Sequence, residues 1–188
     1  MIKIRSFVTM VAALLAFSAM AGELAGVSMP DQVDLDGKKL LLNGLGLREA
    51  SMLKVDVYVA GLYLESKSSD AESVIESEEA KRIRMEFVRK VKKKSITKAW
   101  DEGFEKNAGA EADALAERVA TLNSYMVDFV SGDLMTFTYR PAKGVEVQVN
   151  GESKGLIEGA DFARALWSIW LGPEPPNPGI KEGMLGLE

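Results

Sequence analysis

The stretch "LNGLGLREASMLKVDVYVAGLYLE", residues 42–65, contains the patterns on which the predicted fold and candidate site depend most. Two glycines and a run of leucines lead to a single cation, Arg48, and an alternation of apolar and polar residues follows. This period-two pattern is typical of a half-buried β-strand, and the glycine inside it, Gly61, marks a bulge, a close approach or a simple bend. Arg48 either faces a ligand or is a surface charge, paired for instance with Glu49 or Asp56. Because most arginines are exposed, residue type alone favours the surface charge.

The first residues have the composition of a secretory signal. A start with two basic residues is followed by an almost entirely apolar run, and Ala19-Met20-Ala21 has the small-x-small pattern of a signal-peptidase site. The run is shorter than the ~20 residues of a membrane-spanning helix, and no cysteine follows it that could carry a lipid anchor. We therefore expect a signal peptide over residues 1–21, cleaved after Ala21, and a periplasmic protein with one domain over residues 22–188.

The missing residue types exclude several classes of function. The chain has no cysteine and no histidine, so it lacks thiolate and imidazole metal ligands, a thiol nucleophile and the usual general base. Catalytic triads, histidine-based zinc sites and cysteine hydrolases are excluded, and we expect neither a metal nor a cofactor. The formal net charge of -5 argues, together with the export signal, against nucleic acid as the partner.

Tight turns and alternating patterns predict a series of strands. Asp36-Gly37 and Asn150-Gly151 are dipeptides that favour the positive dihedral angles of hairpin turns. Strands are predicted beside these turns and wherever apolar residues alternate: residues 32–35, 38–42, 53–59, 81–87, 134–139, 145–149 and 154–157.

Four segments are predicted to be helical. They are residues 70–78, a segment that begins at Ser95 as N-cap, residues 111–129, and the nearly all-apolar ADFARALWSIWLG, which several prolines end. The predicted order is strands, then helices, then strands and a helix, and hairpins rather than regular βαβ units connect the strands. This order predicts an α+β fold. In this fold a mainly antiparallel sheet is covered on one face by helices.

A basic stretch of seven cations has two interpretations. The cations attract anionic head groups or an acidic envelope protein, or they are solvated charges that protect a strand edge from aggregation. The second interpretation is favoured because the residues flank a strand in a chain that is acidic overall. The cations are Arg82, Arg84, Arg89, Lys90, Lys92, Lys93 and Lys94.

One predicted helix face combines an aromatic and an amide side chain. Trp100 and Asn107 share the inward face of the second helix. An inward-facing amide needs a hydrogen-bonding partner, which either the protein or a ligand supplies. Trp167 and Trp170 stand three residues apart in the last helix, a spacing that is usual for core packing.

The segment around Arg48 resembles the chalcone isomerases. In that family a glycine-rich turn presents the active-site arginine, and the next strand ends in a Gly-hydrophobic-Tyr-Leu-Glu run, here residues 61–65. The later segments "GDLMTFTYRPAKGVEVQVNG" and "KGLIEGADFARALWSIWLG" are similar to the family's strand pair and closing helix. The "IWLG" and proline pattern is closest to the exported, bacterial chalcone isomerase-like proteins. The resemblance implies an open-faced β-sandwich with the ligand cleft between sheet and helices.

The resemblance also implies which residues line the cleft. Arg48 stands where the enzymes place the arginine that polarises the substrate carbonyl, and Asn107 matches the cleft asparagine. Trp100 holds the position of the catalytic tyrosine, Tyr58 falls near that of a hydroxyl-bearing threonine, and Ala163 replaces a small hydroxyl residue. An indole cannot take the acid or water-organising role of a phenol, which argues against true chalcone cyclisation.

Three hypotheses for the function follow. The noncatalytic branch of the family binds fatty acids, so the leading hypothesis is an exported protein that binds a small apolar acid or fatty acid. Arg48 would hold the carboxylate, and Tyr58, Trp100 and Asn107 would line a cleft that a bulky Trp100 either leaves open or fills. The alternative is an isomerase of the intramolecular-lyase type that closes a ring by conjugate addition, with Arg48 stabilising the enolate. The third is a module that contacts an envelope protein through the basic stretch.

Overall fold

The computed structural model of the protein describes residues 20–50 and 53–187. The apolar run of the predicted signal peptide lies almost entirely outside the described residues. The first strand begins at Met20, so the predicted cleavage after Ala21 would leave the strand residues from Gly22 onward still paired with the second strand. No helix in the described part of the chain is long and apolar enough to cross a membrane.

An antiparallel sheet is the framework of the fold. The described strands are β1 (Met20–Leu24), β2 (Val27–Pro30), β3 (Gln32–Leu35), β4 (Lys38–Ala50), β5 (Val55–Leu64), β6 (Lys81–Phe87), β7 (Leu134–Arg140), β8 (Gly144–Val149) and β9 (Glu152–Glu158). Strands β3 to β9 form a seven-stranded sheet in chain order, and β1 pairs with β2 in a separate hairpin. The predicted turns at Asp36-Gly37 and Asn150-Gly151 connect paired strands, as their dihedral preferences require.

The helices cover one face of the seven-stranded sheet. They are α1 (Ala71–Glu76), α2 (Lys93–Asn107), α3 (Ala112–Ser124), α4 (Ala160–Leu171) and α5 (Pro178–Met184). Their buried side chains form one core cluster with the sheet residues that point the same way, among them Ala60, Leu62, Ile83 and Met85. The β1–β2 hairpin covers part of the opposite face through Val27 and Met29. The predicted α+β architecture, an open-faced β-sandwich, is therefore confirmed.

Several predicted boundaries were wrong, because long-range contacts decide where those elements end. Helix α2 begins at Lys93 rather than after Ser95, since the Asp128 carboxylate, distant in sequence, accepts the Lys93 backbone N–H at 2.8 Å. Helix α3 ends at Ser124 instead of residue 129, although Phe129 remains fully buried. The prolines that end α4 lead into a further helix, α5, which has Pro178 in its first turn.

Glycines in β4 allow α5 to lie directly on the sheet. Gly44 and Gly46 belong to a strand and not to the glycine-rich turn that the resemblance implied for the segment before Arg48. A Cβ on Gly44 would collide with the backbone oxygen of Gly183, and one on Gly46 with that of Ile180. Gly61 also marks a close approach and not a bulge, because its neighbours pair regularly and a Cβ there would meet the Met29 sulfur at 2.5 Å.

A buried lysine closes the C-terminus of α1. Lys81 is 1% exposed, and its Nζ donates to the carbonyl oxygens of Val74, Ile75 and Ser77 at 2.7, 2.8 and 2.9 Å. These carbonyls have no partner within the helix. Burial of the ammonium group nevertheless lowers the pKa of Lys81 to about 8, from an ordinary value of 10.5.

We expect Lys81 to make the free energy of unfolding rise between pH 8 and pH 10, by roughly 2 to 3 kcal/mol. In this window the unfolded chain still binds the lysine proton and the folded protein has released it, so raising the pH favours the folded state. Urea unfolding at several pH values measures the difference in free energy of unfolding between the wild type and Lys81→Met. The contributions of the other titrating groups cancel in this difference. A difference that stays constant over the window would contradict the expectation.

Candidate functional site

A cavity of about 460 Å³ opens between the sheet and α2. Its volume lies within the range of ~300 to 1,000 Å³ that is typical of small-molecule sites. It is lined by residues of β4, β5, α2 and α4 and of the segments that follow β6 and α4: Arg48, Ala50, Val57, Tyr58, Arg89, Lys90, Val91, Lys92, Ser95, Ile96, Ala99, Trp100, Glu102, Gly103, Lys106, Ile169, Glu174, Pro175 and Pro176. Three of the four residues predicted for the cleft, Arg48, Tyr58 and Trp100, are on this wall.

The pairing of β4 with β5 brings Arg48 beside Tyr58. The two residues are directly opposite each other in the antiparallel register, so their side chains leave the same face of the sheet. Arg48 is half-buried and donates one hydrogen bond from Nη1 to the backbone oxygen of Glu49. Within residues 20–50 and 53–187 no carboxylate forms an ion pair with it. The guanidinium has five N–H donors, and most of them have no acceptor among the described residues.

The Tyr58 hydroxyl is a second donor on the same wall. Trp170 donates to the Tyr58 oxygen from Nε1 at 3.0 Å, which leaves the phenolic proton without an acceptor among the described residues. Burial raises the pKa of Tyr58 to about 12, so the phenol is neutral at pH 7. An oxygen of a ligand beside Arg48 can therefore accept a hydrogen bond from Tyr58 as well.

Trp100 is part of the cavity wall and leaves the cavity open. Its indole is 2% exposed, and it packs edge-on against Trp170 with the ring centres 5.5 Å apart. The indole Nε1 donates to the Met126 sulfur at 3.1 Å, so this N–H already has a partner. Trp167 and Trp170 are fully buried, as the prediction of core packing required.

Asn107 does not line the cavity but holds one of its edges in place. Its Nδ2 donates to the backbone oxygens of Gly103 and Glu174 at 3.0 and 3.1 Å, and its Oδ1 accepts the Glu174 backbone N–H at 3.1 Å. The protein, and not a ligand, supplies the partners that this amide needs. Because Gly103 and Glu174 are on the wall, Asn107 positions the cavity without facing it. Ala163 is buried in α4, outside the lining.

The basic stretch does not form the single surface that the sequence suggested. Strand alternation places Arg82 and Arg84 on the face of β6 opposite the helices, where the Arg82 Nε donates to the Thr138 hydroxyl at 2.8 Å. Arg89, Lys90 and Lys92 instead line the cavity. The chain bends after β6, and this bend separates the two groups of cations. The spacing of charges along the sequence does not show the bend.

The cavity is electropositive although the chain is acidic. Five cations line it against two carboxylates, Glu102 and Glu174; the cations are Arg48, Arg89, Lys90, Lys92 and Lys106. Of these five cations, only Arg48 was predicted to lie in the cleft. For Arg89, Lys90 and Lys92, the only pattern in the sequence that could have indicated this position is that they follow the end of a predicted strand. In the described part of the chain no cluster of acidic side chains forms a metal site. The charge favours an anionic ligand.

A family model described as chalcone isomerase-like matches residues 21–186. No curated protein matches the sequence. Among solved structures, the fold is similar to that of the Arabidopsis thaliana fatty-acid binding protein AtFAP1, with a TM-score of 0.71 and 20% sequence identity over 85% of this chain and 92% of that chain.

Proposed function

The chain belongs to the chalcone isomerase-like family, and we propose that it binds a fatty acid in the cavity between β5 and α2. The observation that carries the proposal is the pair of adjacent donors on the cavity wall. Arg48 has no carboxylate partner among the described residues, and the phenolic proton of Tyr58 has no acceptor there. An ionised carboxylate fits both, because it accepts hydrogen bonds and needs a cation.

The rest of the wall suits a hydrocarbon chain. Apolar side chains from three elements face the cavity, Val57 from β5, Ile96 and Trp100 from α2, and Ile169 from α4. Burying methylene groups against them is favourable by about 0.8 kcal/mol each. The solved neighbour of similar fold, whose name says that it binds fatty acids, supports this ligand class.

The proposal includes the periplasmic location that residues 1–21 suggest. The composition of these residues supports it, since they have the basic start, apolar run and small-x-small site of a secretory signal. N-terminal sequencing of the mature protein tests it, with Gly22 expected as the first residue and an uncleaved Met1 as the result that would contradict export.

Calorimetric titration with a long-chain fatty acid and with the alcohol of the same chain length tests the binding proposal. We expect saturable binding of the acid and binding of the alcohol that is at least about tenfold weaker, because a charge-assisted hydrogen bond contributes about 1.5 to 3 kcal/mol. Equal affinities for acid and alcohol, or no binding of either, would show that the wall does not recognise a carboxylate.

The alternative, a ring-closing isomerase, has less support from the geometry. Trp100 replaces the tyrosine that the resemblance places there, and its only N–H is bonded to Met126. Tyr58, with a pKa near 12, is a hydrogen-bond donor and a poor base at neutral pH. Incubation of the protein with a chalcone, monitored by the absorbance of the chalcone, distinguishes the two functions. We expect no acceleration of ring closure, and turnover would favour the isomerase.

A further inference from the structure

Three connections meet at one end of the sheet, and one of them, the segment after β6, lines the cavity. The segment after β6 lies between the other two. On one side the Val88 N–H donates to the Val57 oxygen at 3.1 Å, next to the β4–β5 hairpin. On the other side Val91 and Phe129 exchange two backbone hydrogen bonds of 3.0 and 2.9 Å, which bind it to the loop after α3. We call residues 53–56, 89–94 and 127–133 together the mouth surface.

The mouth surface exposes apolar side chains. Leu53 is 85% exposed, Val130 51% and Val127 38%. These are three of the six large apolar side chains that are exposed in the described part of the chain. Their concentration at one end distinguishes this surface from the scattered apolar residues of an ordinary protein surface.

The same three segments also carry an excess of cations. The mouth surface has six of them against three carboxylates: Lys54, Arg89, Lys90, Lys92, Lys93 and Lys94 against Asp56, Asp128 and Asp133. Asp128 is paired with Lys92 at 2.8 Å, and Asp133 accepts the Val130 backbone N–H at 2.7 Å. The surface is thus positive on a protein with a net charge of -5.

We propose that the mouth surface docks on an anionic lipid bilayer, which brings the cavity wall at Arg89, Lys90 and Lys92 close to the lipid. Cations beside an anionic leaflet and apolar side chains that enter the head-group region act together in interfacial binding. A protein partner fits less well, because protein interfaces are depleted in lysine and enriched in aromatic residues, the reverse of this composition. The docking itself needs no ligand, but its use in exchanging fatty acid with the bilayer rests on the proposed function.

Flotation with phosphatidylcholine vesicles, with and without about one third phosphatidylglycerol, tests the docking. We expect the protein to float only with the anionic vesicles and to be released at high salt, because salt screens exposed charges. The double variant Lys93→Glu/Lys94→Glu changes cations outside the cavity lining, and glutamates in the first turn of α2 suit the helix dipole. We expect it to bind the anionic vesicles at least about tenfold more weakly, and Val130→Asp to weaken binding too.

A matched control changes two lysines at the opposite end of the sheet. Lys39→Glu/Lys143→Glu alters the net charge equally at exposed positions, and we expect its vesicle binding to stay close to the wild type. Equal weakening by both double variants would reduce the effect to net charge and overturn the proposal. So would equal flotation with neutral vesicles, or binding of a soluble acidic protein without binding of vesicles.

The failure of this proposal and that of the proposed function are distinguishable. Arg48→Ala should lose fatty acid in solution and keep vesicle binding. Lys93→Glu/Lys94→Glu should do the reverse. If both variants lost both activities, the mouth surface would not be a separate docking site.

Discussion

Replacing Arg48 with alanine should weaken fatty-acid binding by tens-fold or more and leave the fold intact. Arg48 lies directly opposite Tyr58 in the strand register, and each charge-assisted hydrogen bond to a carboxylate contributes about 1.5 to 3 kcal/mol. A fork-shaped pair of such bonds adds geometric selectivity. The fold should tolerate the change, since the only protein partner of Arg48 among the described residues is the Glu49 backbone oxygen.

Calorimetric titration of wild type and variant with the same fatty acid measures the loss, and thermal unfolding checks the fold. Arg48→Lys separates charge from shape, and we expect intermediate affinity because an ammonium is a point charge without the fork. Arg164→Ala is the matched control: this arginine is also half-buried, but it pairs with Glu76 and Glu78 at 3.6 and 3.5 Å, away from the cavity. Unchanged affinity in Arg48→Ala would remove the arginine from the binding site.

Gly46→Ala should destabilise the protein by about 3 kcal/mol, the upper part of the usual cost of overpacking. The added Cβ would meet the Cα of Ile180 at 2.8 Å as well as its backbone oxygen, and backbone atoms cannot rotate away as a flexible side chain can. Helix α5 would have to leave β4. Asn177 ties the two together, since it donates to the Leu47 oxygen at 3.0 Å and accepts the Glu49 N–H at 3.2 Å.

Thermal unfolding measures the cost, with an expected fall in Tm of about 10 °C for a domain of this size. Because Arg48 lies between Leu47 and Glu49, the shift should also weaken fatty-acid binding. Gly179→Ala is the matched control in α5, where the nearest atom to the added Cβ is 3.8 Å away. We expect that change to be neutral or slightly stabilising, since alanine favours a helix. A Gly46→Ala protein as stable as the wild type would mean that α5 does not depend on the close approach.

Elements with a strong local pattern were predicted well. The strand Lys81–Phe87 was predicted with its observed bounds, and the inward stripe of α2, Ile96, Trp100 and Phe104, is buried as expected. Elements that depend on distant partners were not predicted. The β1–β2 hairpin covers sheet residues through Val27 and Met29, and α5 needs the glycines of β4. Neither has a long periodic pattern of its own.

The residue pattern alone predicts most of the strands and helices in their order along the chain, the direction in which most side chains point, and the candidate arginine. These follow from local rules, since side chains alternate along a strand and return every three or four residues along a helix. Three other features follow from tertiary contacts: Arg48 lacks a carboxylate partner among the described residues, Asn107 bonds to the Glu174 segment, and the basic stretch divides between two surfaces. Such features depend on which atoms of distant segments lie within hydrogen-bonding distance. The number of residues between two segments does not give the distance between them in space.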